Sequence, residues 1–307
     1  MEKHRIALLD GWRFRLTEEA QAICRDYDDS DWRTVDLPHD WQIEQPRSQQ
    51  ALPAQGFFPR EQIGVYRLHF TPKEAWKGQQ IRILFDGVQH FSTVYLNDVP
   101  VGGRPYGYVP FLCDLTDALR WGEDNVLAVR VDNTDSSDGV WYAHGGDRWY
   151  SGAGIYRNVW LLVQPRTHIA HDGIHVCAAP VNHGPNGDVP DVAGIRCDRA
   201  SVSIRVRVDA PKPGITLHTA IYDCEGALVY QAEFPAAAEN AWELSLQKPL
   251  LWTLEKPALY RAEFTLMEQE QVLDAHAVTF GIRSAVFDEE DGFDLNGQKV
   301  KLWGANL

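Results

Sequence analysis

One stretch of the chain places aromatic rings and hydrogen-bonding side chains beside glycines, a combination that suits ligand binding. It reads DRWYSGAGIYRNVW over residues 147–160. Gly152 and Gly154 allow the backbone to adopt positive φ and to approach a neighbour closely. Flat rings beside an arginine suit a sugar, which has one apolar face and many hydroxyl groups. The candidate sugar-binding residues of this stretch are Asp147, Arg148, Trp149 and Tyr150.

A second aromatic pair lies just before this stretch, in a polar and glycine-rich loop. The loop reads TDSSDGVWYAHGG over residues 134–146 and contains Trp141 and Tyr142. Two interpretations of this pair stay open. The rings form a further stacking platform for a sugar, or they pin the loop to its own domain.

His39 and Asp40 combine an imidazole and a carboxylate, as a catalytic dyad does. They directly follow Pro38, whose fixed φ favours a corner of the chain. We therefore predict that this pair is a hydrogen-bonded structural corner.

Two other polar clusters are weaker candidates for chemistry. His168, His171 and His175 have the spacing H-x2-H-x3-H, which matches no standard metal-ligand pattern. Glu289-Glu290-Asp291 is an acidic run on a predicted turn. Adjacent residues on a turn cannot flank a substrate from opposite faces, so we interpret the run as a solvated loop. No metal, no cofactor and no catalytic residue is predicted within the chain.

Charge and cysteine content limit the class of partner. The formal net charge is −14, which disfavours binding to nucleic acid and to anionic membranes. The five cysteines include no C-x-x-C pair, which favours free thiols in a reducing compartment over a disulfide framework. No apolar run approaches the roughly 18 residues of a membrane span, and no signal-peptide stretch precedes the first charges. These features predict a soluble, cytoplasmic protein.

Short alternating runs in the first half of the chain predict an antiparallel β-sandwich. Residues 66–70 and 81–85 alternate apolar and polar side chains, and Asn97-Asp98 has the composition of a hairpin turn. A further run over 126–131 closes the series. From 44 to 62 the sequence is rich in Gln, Pro and Arg without periodicity, which predicts a long loop.

The second half also alternates, in about seven short strands typical of an immunoglobulin-like sandwich. The clearest runs are SVSIRVRV over 201–208 and YRAEFTLM over 260–267. Near the end, Asn296-Gly297 predicts the tip of a hairpin, and KLWGANL over 301–307 predicts one more apolar strand.

Several strings in this order resemble glycoside hydrolase family 2, which contains β-galactosidases, β-glucuronidases and β-mannosidases. They are DGWRF, WRTVDLPHDW, FDGVQHFSTVYLNDVPVG, GYVPFLCDLTDAL and NVLAVRVDN, followed by the stretch at 147–160. The resemblance implies an all-β chain with a jelly-roll sugar-binding domain over 1–165 and an immunoglobulin-like domain over 166–283. It also implies that 284–307 begins a (β/α)8 catalytic barrel, truncated here because such a barrel needs about 250 residues.

The resemblance further implies where chemistry and binding occur. The two catalytic glutamates of the family lie on barrel strands, so the chain alone is expected to be inactive. The loop before Gly152 reaches the sugar pocket in family members, and Asp147 stands where they have a serine. Asp147 and Arg148 would then bond hydroxyl groups, while Trp149 and Tyr150 would stack on the ring. In an alternative of equal weight, Arg148 and Trp149 do not contact the sugar and only hold the domain against its barrel. Gly154, Tyr156 and Arg157 are expected to be structural.

Three functional hypotheses follow. The first is the N-terminal part of a retaining β-glycosidase, most similar to a β-galactosidase. Its expected partners are a β-glycoside substrate, its own C-terminal barrel domain and further copies of itself in a homo-oligomer. The second is a stand-alone carbohydrate-binding protein without catalysis. The third is a structural module whose aromatic loop docks another protein. The extent and order of the resemblance favour the first.

Overall fold

Almost all regular structure among the described residues is β-strand. A computed structural model describes residues 5–51, 53, 56–59, 62–134, 150–181, 197–290 and 292–305. The chain divides into two units, Met1–Gln164 and Pro165–Leu307. Two short 3₁₀ helices occur in the described part of the first unit, at Ala20–Ile23 and Glu74–Trp76.

The first unit is a sandwich of two antiparallel sheets. Its described strands are β1 Arg5–Ala7, β2 Trp12–Leu16, β3 Arg33–Val35, β4 Ile63–Phe70, β5 Gln80–Phe85, β6 Phe91–Leu96, β7 Val99–Arg104, β8 Phe111–Asp114, β9 Asn125–Asp132 and β10 Val159–Gln164. One sheet has the order β1-β10-β5-β8 and the other β3-β2-β4-β9-β6-β7. The predicted hairpin turn between β6 and β7 is confirmed, since Asn97 and Asp98 both have positive φ.

Alternation explains how these sheets form one core. Ile81 and Ile83 of β5 are fully buried, as are Val94 and Leu96 of β6 in the facing sheet. Because side chains alternate across a strand, each sheet turns one apolar face inward. The strand β9 is buried along most of its length, which fits its central place between β4 and β6.

Arg67 departs from the simple alternation. It lies on the face of β4 opposite to the core, yet its side chain is fully buried. Its guanidinium donates to the carbonyl oxygens of Ala22 and Cys24 at 2.8 Å and to Asp29 at 2.7 Å. The loop after β2 therefore covers the outer face of β4, and Arg67 satisfies that loop's buried polar groups.

The second unit begins with the seven strands that the alternation predicts. They are β11 His168–Pro180, β12 Arg199–Asp209, β13 Ile215–Tyr222, β14 Leu228–Pro235, β15 Glu239–Gln247, β16 Tyr260–Glu268 and β17 Gln271–Phe280. One sheet has the order β11-β12-β15 and the other β14-β13-β16-β17. Their inward residues, such as Val202, Ile204 and Phe264, form one buried cluster, which confirms the predicted facing of β12 and β16.

A small third sheet ends the described chain, with β18 Ala285–Asp288, β19 Gly292–Leu295 and β20 Gln298–Lys299. The predicted hairpin at Asn296-Gly297 is confirmed by positive φ at both residues. The buried Asn296 side chain accepts from the Ser284 backbone N–H and donates to the Trp252 carbonyl, at 2.9 and 3.0 Å. This hairpin is thereby tied to the loop that follows β15.

The segment after β20 differs from the sequence expectation. Residues 301–305 form no strand, and the side chains of Leu302 and Trp303 are 63% and 83% exposed. A strand requires a hydrogen-bonded neighbour, and none pairs with these residues within the described part of the chain. The division of the second unit at residue 283 stays a prediction.

Candidate functional site

Asp40 joins the corner after Pro38 to the glycine-rich stretch that the sequence singles out. Its Oδ1 accepts from the backbone N–H groups of Gln42 at 3.0 Å and Ala153 at 2.9 Å. Its Oδ2 accepts from the hydroxyl of Tyr150 at 2.7 Å. We call Asp40, Ala153 and Tyr150 the Asp40 corner. With its two oxygens engaged in this way, the Asp40 carboxylate holds neighbouring groups in position.

The backbone of the two segments runs closely side by side at this corner. The N–H of His39 donates to the carbonyl of Ile155 at 2.8 Å, and that of Trp41 donates to Ala153 at 3.0 Å. Gly152 has a φ of +71°, and a Cβ there would lie 2.8 Å from Asp40 Oδ2. Glycine is therefore required at this position for both its conformation and its close approach.

His39 is part of the support of this corner. Its side chain is buried, with Nδ1 lying 2.7 Å from the Tyr66 hydroxyl and Nε2 lying 3.2 Å from Glu44 Oε1. Burial lowers the pKa of His39, and the negative charge of Glu44 opposes this shift. Because both ring nitrogens have partners within the protein, the predicted structural corner is confirmed.

Tyr150 carries the ring that faces the long loop of residues 44–62. Its ring centroid lies 5.9 Å from that of Phe58, in an edge-on arrangement, and the guanidinium of Arg47 lies 5.3 Å from the Phe58 centroid. Burial and the hydrogen bond to Asp40 raise the pKa of Tyr150. The hydroxyl therefore stays protonated at neutral pH and donates to the carboxylate.

Sequence reasoning named Tyr150 but missed the partners that fix it. Nothing in the aperiodic loop assigns Phe58 or Arg47 to Tyr150, although the pair Phe57-Phe58 is an aromatic signal in an otherwise polar run. The other predicted sugar-binding residues lie outside the described residues; they are Trp141, Tyr142, Asp147, Arg148 and Trp149. The assembled arrangement offers a half-buried aromatic ring and an exposed guanidinium for binding, while the engaged Asp40 carboxylate holds the ring in place.

The structure also describes surroundings of the predicted histidine cluster and the state of the cysteines. His168 lies at the start of β11, with Nδ1 2.8 Å from the Pro165 carbonyl oxygen and Nε2 3.3 Å from Asp209. Within the described ranges, no group of three His, Cys, Asp or Glu side chains is arranged to hold a metal ion. All five cysteines are free thiols. No helix among the described residues is long and apolar enough to cross a bilayer.

Comparison with protein families decides the assignment of this fold. A model described as the sugar binding domain of glycosyl hydrolases family 2 matches residues 6–165, and a second model of the same family matches residues 190–283. The chain belongs to glycosyl hydrolases family 2. The Asp40 corner and Tyr150 thus lie in the part of the chain that the family's sugar binding domain matches.

Individual family 2 relatives support the same assignment. A β-galactosidase of Bacteroides ovatus is 36% identical over 301 residues, which are 95% of this chain and 33% of that protein. A β-glucuronidase of Bacteroides fragilis is 28% identical over 99% of this chain and 41% of its own length. The crystal structure of a β-glycosidase from Bacteroides vulgatus superposes with a TM-score of 0.78 at 32% identity, over 97% of this chain and 36% of that one.

The chain spans between 26% and 33% of the length of three of the curated relatives that it matches. Its likeness to them covers both β-sandwich units in the same order. As a family 2 sequence, it corresponds to the N-terminal, non-catalytic part of such glycoside hydrolases.

Proposed function

We propose that this chain is the N-terminal, sugar-facing part of a retaining glycosidase that hydrolyses the O-glycosidic bonds of β-galactosides or related β-glycosides. The observation that carries the proposal is the match of both family models, in order, across the two units. The relatives named β-galactosidase and β-glucuronidase support a β-glycoside substrate.

Within this function, the chain's own task is to present binding groups to the sugar. Tyr150 is held by Asp40 and Phe58 at the base of the predicted loop. We propose that Trp141, Tyr142, Asp147, Arg148 and Trp149 extend this binding surface. Aromatic faces would stack on the apolar side of the sugar, and Asp147 with Arg148 would bond its hydroxyl groups.

Catalysis would use groups outside this chain. Retaining glycosidases place two carboxyl groups about 5 Å apart, one as nucleophile and one as acid and base. We propose that a barrel domain supplies them and packs on these units. Exposed apolar side chains near the end of the described chain support such a partner surface, among them Phe287 at 75% and Trp303 at 83%. Free cysteines are compatible with the proposed cytoplasmic location.

Sequencing of the source reading frame past the codon for Leu307 tests the proposal directly. We expect it to continue into a barrel of about 250 residues with two suitably placed glutamates. The longer product and the 307-residue chain should then be assayed on aryl β-galactoside, β-glucuronide and β-mannoside. We expect hydrolysis with retained anomeric configuration by the longer product and none by the shorter chain.

A stop codon directly after Leu307, with no hydrolysis of any aryl glycoside, would contradict the glycosidase. A stand-alone carbohydrate-binding protein would then be the better description, provided that the chain itself binds sugars.

A further inference from the structure

Three tyrosines and an arginine form a second aromatic surface on the first unit. Tyr106 and Tyr108 lie in the loop between β7 and β8, with ring centroids 5.6 Å apart. Tyr156 lies before β10, 6.5 Å from Tyr108, and the Arg157 guanidinium lies 5.2 Å from the Tyr156 centroid. We call Tyr106, Tyr108, Tyr156 and Arg157 the tyrosine ledge.

The ledge is held rigidly by the backbone around it. The hydroxyl of Tyr156 donates to the carbonyl of Gly107 at 2.9 Å, which ties the two segments together. A Cβ at Gly87 would lie 2.9 Å from Arg157 Cδ and 3.0 Å from Tyr156 Cζ, so the turn after β5 supports both side chains closely. A preorganised aromatic surface loses little conformational entropy when a ligand binds.

Packing within the fold accounts for Tyr108 and Tyr156, but not for Tyr106. Tyr108 and Tyr156 touch each other and are partly covered by their neighbours. Tyr106 is 38% exposed and touches the cluster from outside. Its ring therefore adds accessible aromatic surface at the edge of a fixed cluster.

The charge at the ledge is opposite to that of the chain as a whole. The chain carries a net charge of −14, yet the side chain of Arg157 is exposed, as is that of Arg104, two residues before Tyr106 in the sequence. Within the described part of the chain, no ion pair joins either guanidinium to a carboxylate. The nearby Asp86 is engaged by the indole N–H of Trp160 at 2.8 Å and by Arg5 at 3.8 Å. The ledge thus carries one positive charge, that of Arg157, with no carboxylate paired to it among the described residues.

We propose that the tyrosine ledge binds a hexuronate unit of an acidic glycan. The ring of Tyr106 stacks on the apolar face of the pyranose, and the Arg157 guanidinium pairs with the uronate carboxylate, a geometry that favours arginine. The proposal rests on the proposed function only in taking the ligand to be a carbohydrate. It assigns a binding role to Arg157, which was expected from the sequence to be structural, and leaves Tyr156 as the ring that lies beside the Arg157 guanidinium.

Binding of matched oligosaccharides to the 307-residue chain tests the ledge. Calorimetry would compare a hexamer of β-1,4-linked glucuronate with the hexamer of β-1,4-linked glucose, which has hydroxymethyl groups in place of the carboxylates. We expect Tyr106→Ala and Arg157→Gln each to raise the Kd for the glucuronate hexamer about fivefold, because each removes one of two contacts. Tyr106→Phe should bind like the unchanged chain, since it keeps the ring.

Matched controls separate the ledge from general effects. Phe287→Ala removes a ring that is 75% exposed in the other unit and should leave the Kd unchanged. The glucose hexamer should bind more weakly, and Arg157→Gln should not alter its Kd. Thermal unfolding would confirm that each variant is folded.

Three outcomes would overturn the proposal: no binding of the glucuronate hexamer, equal affinity for both hexamers, or Kd values unaffected by Tyr106→Ala and Arg157→Gln. Each is independent of hydrolysis of small aryl glycosides by the longer product. Failure of the ledge and failure of the proposed glycosidase are therefore distinguishable.

Discussion

Two aspartates in the first unit anchor loops in different ways. Asp29 is 3% exposed and accepts from the charged side chain of Arg67 at 2.7 Å and from His69 at 3.0 Å. Asp40 instead accepts from two backbone N–H groups and the neutral hydroxyl of Tyr150. We call Asp29, Arg67 and His69 the Asp29 anchor.

This difference in donors indicates which aspartate mainly stabilises the fold and which mainly positions a side chain. Burial alone would raise the pKa of Asp29, but hydrogen bonds from Arg67 and His69 outweigh burial and lower it. Removing a buried charged partner leaves an uncompensated charge, whereas removing one neutral donor of several leaves a weaker deficit. The Asp29 anchor therefore stabilises the fold, and the Asp40 corner places Tyr150.

The largest effect is expected from Arg67→Met. This change removes the bond from Arg67 to the buried Asp29, which keeps only Arg13 and His69 as partners, and removes the donors to the carbonyl oxygens of Ala22 and Cys24. Denaturant unfolding should show a loss of about 3–5 kcal/mol in the free energy of unfolding. Arg15→Met, which breaks the exposed pair with Asp31, should cost less than about 1 kcal/mol. Equal losses for the two variants would refute the contrast.

Gly152→Ala tests the close approach at the Asp40 corner. The added Cβ would meet Asp40 Oδ2 at 2.8 Å, in addition to the cost of a φ of +71° for a residue with a side chain. Gly78→Ala is the matched control, because its φ is +80° and no atom lies within 4 Å of the added Cβ. We expect a loss of about 1–2 kcal/mol for the control and about 1 kcal/mol more for Gly152→Ala. Similar unfolding free energies for both variants would mean that the Asp40 corner accommodates the added Cβ without loss of stability.

The sequence predicts the strands and their buried faces better than it predicts the side-chain contacts between distant segments. Alternation assigns the core residues of β5, β6, β12 and β16, since one face of each sheet must be apolar. It also places Arg67 on the opposite face of β4, but periodicity contains no information on which distant loop covers that face. Phe58 and Tyr150 are likewise far apart in the sequence, and an aperiodic loop does not reveal its tertiary partner. Residues 301–305 show the converse, because an apolar run forms a strand only beside a neighbour.

Tyr150→Phe should have a smaller effect on stability. The variant loses one hydrogen bond to Asp40 and keeps the ring that packs on Phe58. We expect a loss of about 1 kcal/mol in the free energy of unfolding at neutral pH. Burial and the bond to Asp40 raise the pKa of Tyr150, so its contribution is full below the unfolded pKa of about 10 and is lost at higher pH.

An alkaline titration checks this sign. The difference in stability between the unchanged chain and Tyr150→Phe should shrink as the pH rises above about 10. A constant difference across that range would show that the hydroxyl does not couple to folding. Tyr95→Phe, at an intermediate exposure on β6, provides a control for loss of a tyrosine hydroxyl alone.

The smallest effect is expected from titration of His39, because burial and Glu44 act in opposite directions on its pKa. The folded-state pKa of His39 is lowered below its usual 6.5, so the unfolded chain binds the proton more readily. Stability should therefore fall as the pH drops through about 6.5 towards the folded pKa. Unfolding free energies measured between about pH 8 and pH 5 should show this slope, and His39→Asn should flatten it.

Glu44→Gln removes the opposing charge, lowers the pKa of His39 further and should steepen the slope. If the unchanged chain and both variants share one slope, the titration of His39 does not couple to folding. The proposed electrostatic role of His39 beside Asp40 would then be wrong.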